Sequence, residues 1–483
     1  MEYGRFHPPA GVLVALLLVI SAADDAISFP YPSMSRCVPN DVVVSSRTST
    51  TAATVATTTA LGMAKSKTTN RKRPSQSSTM GGLKGFGPSS ASPSSSLVGD
   101  EGGGIVDRSP PALKFYDYLV RNGAGSNLSR VGLGYFPVRV GTKDTDVIRL
   151  RGVVALRDIP RGESIIEVPY EMSLNLGREN ADPTLPASTF LQKYCAWKCI
   201  SKSIPPGDRD RGDYFAMVPP YPSEDCLGST DFFSDVALDM LQSPSVKEET
   251  LARRSLVDAR YERDVMPMAQ MSSNLYRWDE SGTIASVEHL RWASWVVTSR
   301  VLTVQGGGSS NDPSSATTAN RLLIPLIDMC NHDRDSPHVL TGRAIPGALL
   351  RVVAGRDVRA GDAVNIAYGG GVEGNDRFVQ DYGFLDSGGS KERGAVGGIN
   401  GGKDAIVAEG YRIVARRILG KGGRSVTMRR MSASDSERAL GALSATTLEE
   451  DETLLTSGSV MANDERMALE YRVGVKRALK LLQ

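Results

Sequence analysis

Residues 321–332 read RLLIPLIDMCNH, an apolar run broken by a proline and closed by Asp328, Asn331 and His332. Carboxyl, amide and imidazole groups are an odd ending for a plain core strand, because each needs a partner once buried. Tyr368-Gly369 follows downstream, and residues 375–384 then read NDRFVQDYGF, with Tyr382 ahead of Gly383. Taken singly these pieces are weak. An Asn-His pair after an apolar run is more often a turn than a ligand, and a YGF is usually core packing. Metal chemistry is not what the chain offers. Its four histidines and five cysteines are scattered, and Cys195-x3-Cys199 has no second ligand pair nearby. Those two cysteines, and Cys330, read as buried apolar residues.

Composition bounds the rest. Over 483 residues, 40% are hydrophobic and 23% charged, which excludes a wholly disordered chain. A formal charge of +2 speaks against wrapping a polyanion, so no nucleic-acid partner is expected. Residues 12–23, VLVALLLVISAA, are too short for a membrane span, which takes about 20 apolar residues. They have the form of a signal-peptide core, giving a signal peptide over 1–28 and no stable membrane span in the mature chain. From 26 to 99 the chain is rich in Ser and Thr, and Asp41 is its only acidic residue. Such a stretch cannot offset its ordering entropy and matches a transit peptide, assigned to 29–108. Together the two resemble the bipartite presequence of algae whose plastids are entered through the secretory route, with Phe29 as the aromatic residue beyond the cleavage region. Plastid delivery is the expectation, and plain secretion the alternative.

Helical spacing marks residues 111–120 through Leu113, Tyr116, Leu119 and Val120. Residues 155–168, ALRDIPRGESIIEV, and 354–367, AGRDVRAGDAVNIA, share a pattern of strand, Gly-containing turn and second strand. Between them, residues 189–201, 232–240, 247–265 and 286–304 carry helical patterns. In the last, Trp292, Trp295, Val296 and Ser299 fall on one face. A mainly helical insertion thus interrupts a β-rich core. Stretches 306–320, 387–403 and 420–436 are Gly/Ser-rich loops. Met467, Tyr471, Val475, Ala478, Leu479 and Leu482 trace a final helical stripe, with Lys and Arg in the last turns suited to the helix dipole.

The segment PLIDMCNH, the strand ending NIAYG and the N-x6-YGF stretch resemble the second half of a SET domain, and RGVVALRDIPRGESIIEVP its first half. The insertion, with DYFAMVPP and WASWVVTSR, is similar to that of the Rubisco large-subunit lysine methyltransferase subfamily. LEEDETLL and ERMALEYRVGVKRAL resemble the start of that subfamily's C-terminal substrate-binding domain. The resemblance implies an α+β fold: a β-rich SET core with a pseudoknot, a helical insertion and a short helical C-terminal domain. The domains would be 109–185 and 301–390 for the two SET halves and 186–300 for the insertion. A linker over 391–440 and a truncated substrate-binding domain over 441–483 would follow.

The same resemblance implies an S-adenosylmethionine-dependent protein-lysine N-methyltransferase acting on a protein that presents a lysine, such as Rubisco or aldolase. Asn331 and His332 would hold the cofactor. Gly152, with the backbone of Arg151 and Val153, would form a cofactor loop in which the missing Cβ permits close approach. Tyr382 would be the catalytic tyrosine, Tyr368 would line the lysine channel, and Arg300 would contact substrate or cofactor. No metal is implied, and no cysteine follows Cys330 to build the zinc site some SET families carry. Two departures stand out. The family's Gly-x-Gly is here Leu150-Arg151-Gly152, and no further tyrosine follows at the usual distance beyond the YGF. The alternatives are a protein-histidine methyltransferase and a non-catalytic SET-like interaction module.

Overall fold

The similar stretches at 155–168 and 354–367 are each other's partners in the computed structural model. Ile159 and Val358 exchange backbone hydrogen bonds of 2.8 and 2.9 Å across an antiparallel bridge. Their shared aspartates repeat the exchange: Asp357 accepts from the N–H of Arg161 (2.8 Å), and Asp158 from that of Ala360 (2.9 Å). Gly162 (φ 86°) and Gly361 (φ 89°) take the left-handed conformation that each turn demands. The common pattern is therefore the set of residues that two crossing turns need to clasp one another.

The structure describes residues 104–139, 147–178, 182–200, 211–222, 227–271, 275–306, 319–386, 407–421, 431–457, 459 and 461–483. The expected signal peptide, the transit-like stretch up to residue 103 and most of the three Gly/Ser-rich loops lie outside them. The first helix, α1 (Pro110–Arg121), starts on a proline, whose missing N–H would be unpaired there anyway. Its buried face is Ala112, Phe115, Tyr116, Tyr118 and Leu119. Leu113 and Val120, expected on that stripe, are exposed. The helix is rotated so that Phe115 and Tyr116 reach the core.

Three small sheets follow. The largest has five strands in the order β1 (Ile105–Val106), β2 (Val131–Arg139), β3 (Val147–Ala155), β11 (Ala363–Ile366) and β8 (Asn331–His332). Its last pair is parallel and the others are antiparallel. A second sheet orders β4 (Ser164–Pro169), β10 (Leu349–Val353) and β9 (Val339–Thr341). The third orders β5 (Leu174–Arg178), β7 (Ala319–Leu323) and β6 (Leu302–Gln305).

Between β5 and β6 stand the helices of the insertion: α2 (Thr184–Ile200), α3 (Asp235–Met240), α4 (Pro244–Arg260) and α5 (Val287–Arg300). The expected helix over 286–304 stops at Arg300. Beyond it, residues 302–305 form β6, where Thr303 and Val304 suit a strand paired to β7. The start of α5 is closed by Ser286, whose N–H donates to Nδ1 of His289 at 2.9 Å.

The chain closes in α6 (Glu409–Ile418), α7 (Ala433–Leu443), α8 (Leu448–Thr456) and α9 (Asn463–Leu482). Tyr471, Val475, Ala478 and Leu479 of α9 pack with Val414 and Ile418 of α6 and Leu238 and Leu241 of the insertion. Of the basic residues expected to serve the helix dipole, Lys476 does something else. Arg472 and Lys476 turn inward onto the buried Asp451 of α8, at 2.7 and 2.6 Å. Only Lys480 stands in the last turn. Among the described residues no helix is long and apolar enough to cross a membrane.

Candidate active site

Asn331 and His332, half-buried on the edge strand of the five-stranded sheet, end an apolar run that holds strain. Leu326, fully buried, holds φ 72° and ψ −42°. Such a backbone costs a leucine about 1–3 kcal/mol and persists only where packing imposes it. The chain then lays Asn331 and His332 parallel to Asn365 and Ile366 of β11. The side-chain amide of Asn331 donates to the carbonyl of Arg151 at 3.0 Å. That tie joins the two halves of the core.

The expected cofactor loop at Arg151, Gly152 and Val153 is not a loop. All three lie within β3, and Val153 is paired to Leu133 on one side and Val364 on the other. The β-branched residues around them continue the strand, so ladder pairing wins over a turn. Gly152 is needed for a different close approach, because a Cβ there would stand 2.5 Å from Nδ2 of Asn331.

His332 accepts the N–H of Tyr368 on Nδ1 at 3.0 Å. Burial pushes its pKa down, so the ring is neutral and the accepting role of Nδ1 assigns the proton to Nε2. Nε2 is buried without a hydrogen-bond partner. Phe378 covers the ring at 4.5 Å between centroids.

The two tyrosines differ in what their hydroxyls do. Tyr368 donates to the carbonyl of Cys330 at 2.6 Å. The hydroxyl of Tyr382 has no hydrogen bond among the described residues. The rings lie nearly parallel, 26° apart with centroids at 5.0 Å. Burial holds both phenols protonated far above the usual tyrosine range. Tyr382 ends a π-turn, Phe378–Tyr382. Asn375 closes this loop: its amide donates to the carbonyl of Asp386 (3.0 Å) while its oxygen accepts the Asp386 N–H (2.8 Å).

Arg300, the last residue of α5, donates to the carbonyl of Asp328 at 2.8 Å. The Asp328 carboxyl is buried and accepts the hydroxyl of Tyr214 at 2.6 Å, while its Oδ1 has no partner. Burial pushes its pKa up to about 6 against the opposing pull of Arg300. The guanidinium of Arg151 reaches the carbonyl of Met217 in the DYFAMVPP turn. Sequence reasoning singled out Asp328 as an odd ending to an apolar run but gave it no role, and met Tyr214 only inside DYFAMVPP. Their contact, across 114 residues of chain, leaves no local spacing to read.

The profile of the SET domain matches residues 150–369. Over 291 residues the chain is 21% identical to the chloroplastic ribulose-1,5 bisphosphate carboxylase/oxygenase large subunit N-methyltransferase of Nicotiana tabacum, a match covering 57% of this chain and 51% of that protein. Over 106 residues it is 38% identical to an actin-histidine N-methyltransferase of Canis lupus familiaris, covering 22% of this chain and 16% of the relative. The matches thus span about half of the first relative and far less of the second. Among solved structures, the SET domain of LSMT bound to lysine and AdoHcy aligns over 78% of this chain and 90% of its own, at 18% identity and a TM-score of 0.46. With a core of short sheets interrupted by helices, the chain carries a region, residues 150 to 369, that matches the SET domain, and it resembles the Rubisco large-subunit N-methyltransferase.

Proposed function

We propose that the chain is an S-adenosylmethionine-dependent protein N-methyltransferase acting on a lysine, with a plastid enzyme such as Rubisco or aldolase as target. One observation carries this reading: Tyr368 and Tyr382 stack beside Asn331 and His332, with one hydroxyl engaged and the other open to a substrate. The residues suit the cofactor. The bare Nε2–H of His332 and Oδ1 of Asp328 are buried polar atoms that call for a partner. Asn331, His332 and the backbone of Arg151, Gly152 and Val153 would hold it, with Arg300 at its edge or the substrate's. When bound, it supplies an electrophilic methyl group on a sulfonium.

The chain's own groups handle the amine. A lysine ammonium has an ordinary pKa near 10.4, so the site must favour its neutral form, and burial among aromatic rings does so. The Tyr382 hydroxyl, held protonated, can orient the amine lone pair for a straight approach. Tyr368 forms the neighbouring wall, fixed through Cys330. No step in this scheme calls on a metal, and activity is expected to survive chelators.

A histidine acceptor is the second reading, favoured by the 38% identity to the actin-histidine relative. Incubating the purified chain and methyl-labelled cofactor with Rubisco, aldolase or actin, followed by peptide mass spectrometry, separates these. Label on lysine supports the first reading and label on histidine the second. Cofactor binding without transfer to any acceptor, alongside stable capture of a protein, would mark an interaction module. Plastid delivery rests on residues 1–103 and on the chloroplastic relative. A fluorescent fusion of residues 1–105 found in the medium would end it.

A further inference from the structure

Tyr382 lies beyond the SET-domain match, which ends at residue 369. Its backbone is gripped from the helical insertion rather than from the β-core. Arg253, in the middle of α4, spreads its guanidinium over three groups. Two of its nitrogens meet the carboxylate of Asp231 at 3.2 and 2.9 Å. A third meets Asp381 at 2.5 Å, and the same arm that reaches Asp231 also donates to the carbonyl of Gln380 at 2.7 Å. Asp381 and Gln380 are the two residues before Tyr382 in the π-turn. From α5, the indole N–H of Trp295 donates to the carbonyl of Tyr382 itself at 3.3 Å.

We propose that Arg253 is a positioning residue for Tyr382, locking the π-turn through Asp381 and the Gln380 carbonyl so that the phenol keeps its place against Tyr368. A planar guanidinium can serve two carboxylates and a carbonyl in one plane, and a lysine ammonium cannot span the same three. The lock sits in a partly buried setting, where a charged pair holds geometry better than at the surface. The inference rests on the methyltransferase reading for its consequence in turnover, though not for the geometry.

The test uses the full chain carrying 3-fluorotyrosine at position 382, with Arg253→Lys, Arg253→Ala and Asp381→Asn variants. Fluorine magnetic resonance should give one sharp line in the parent and a shifted or broadened one in each variant. Cofactor binding by calorimetry should change less than about twofold. With whichever of Rubisco, aldolase or actin accepts the label, kcat should fall about 10- to 100-fold at unchanged KM, and ethylguanidinium should restore Arg253→Ala in part. An unchanged fluorine line in Arg253→Lys and Asp381→Asn overturns the proposal, as does a loss of cofactor affinity that matches the loss of kcat. A parent that shows the sharp line, loses it in the variants, yet transfers no methyl group to Rubisco, aldolase or actin sinks the methyltransferase reading and leaves the lock standing.

Discussion

The amide nitrogen of Asn331 stands 2.5 Å from the point where a side chain on Gly152 would begin. The two residues belong to opposite halves of the core, and the hydrogen bond from Asn331 to Arg151 runs through the space that glycine leaves open. Gly152→Ala must push the amide away. Overpacking of this kind costs about 1–3 kcal/mol. Melting temperature should fall, and cofactor affinity measured by calorimetry should drop at least about tenfold, since about 1.4 kcal/mol of lost orientation is a factor of ten. Unchanged affinity would remove Asn331 from the cofactor site.

The tyrosines should separate rate from structure. Tyr382→Phe deletes a hydroxyl that bonds to nothing in the described chain, so stability should hold while methyl transfer falls about 10²–10³-fold, as for an oriented donor lost elsewhere. Tyr368→Phe strips the Cys330 carbonyl of a 2.6 Å hydrogen bond. It should lower stability by about 1 kcal/mol, slow transfer less, and change how many methyl groups are added. Single-turnover kinetics with product mass spectrometry reads both.

Asp328 makes stability depend on pH in an uncommon direction. Its pKa rises from the ordinary 3.8 to about 6 in the fold, so the native chain binds the proton more tightly than the unfolded one. This group therefore favours folding fully below about pH 4, loses that benefit between about 4 and 6, and levels off above. The span is on the order of 3 kcal/mol. Asp328→Asn keeps the acceptor for Tyr214 without the charge. Denaturant titrations across this range should show the variant gaining on the parent as pH rises. A constant difference would mean that the carboxyl is better solvated than its burial indicates.

The clasp of the two repeats predicts a matched pair of losses. Asp158 and Asp357 occupy equivalent places and each accepts one turn N–H of the other repeat. Asp158→Ala and Asp357→Ala should each cost about 0.5–1.5 kcal/mol, alike within a few tenths. A large inequality in chemical denaturation would show that only one turn relies on its aspartate.

Sequence alone was enough for whatever local pattern or a distinctive motif can carry. The 3.6-residue spacing marked α1 and α9, the alternating helical and β-type stretches marked an interrupted core, and the joint presence of PLIDMCNH and YGF pointed to a SET domain. The repeat at 155–168 and 354–367 was visible as likeness, but nothing in either copy says that it binds the other. Only the fold turned Arg151–Val153 from a loop into a strand, because whether a Gly-containing run pairs depends on the strands beside it. The same holds for Lys476, which joins Arg472 on Asp451 rather than serving the helix dipole, and for Tyr214 on Asp328. In each case the deciding partner lies far along the chain. A side chain's chemistry is written in its own residue, but its protonation, its geometry and its partner are set by what tertiary packing brings within about 3 Å.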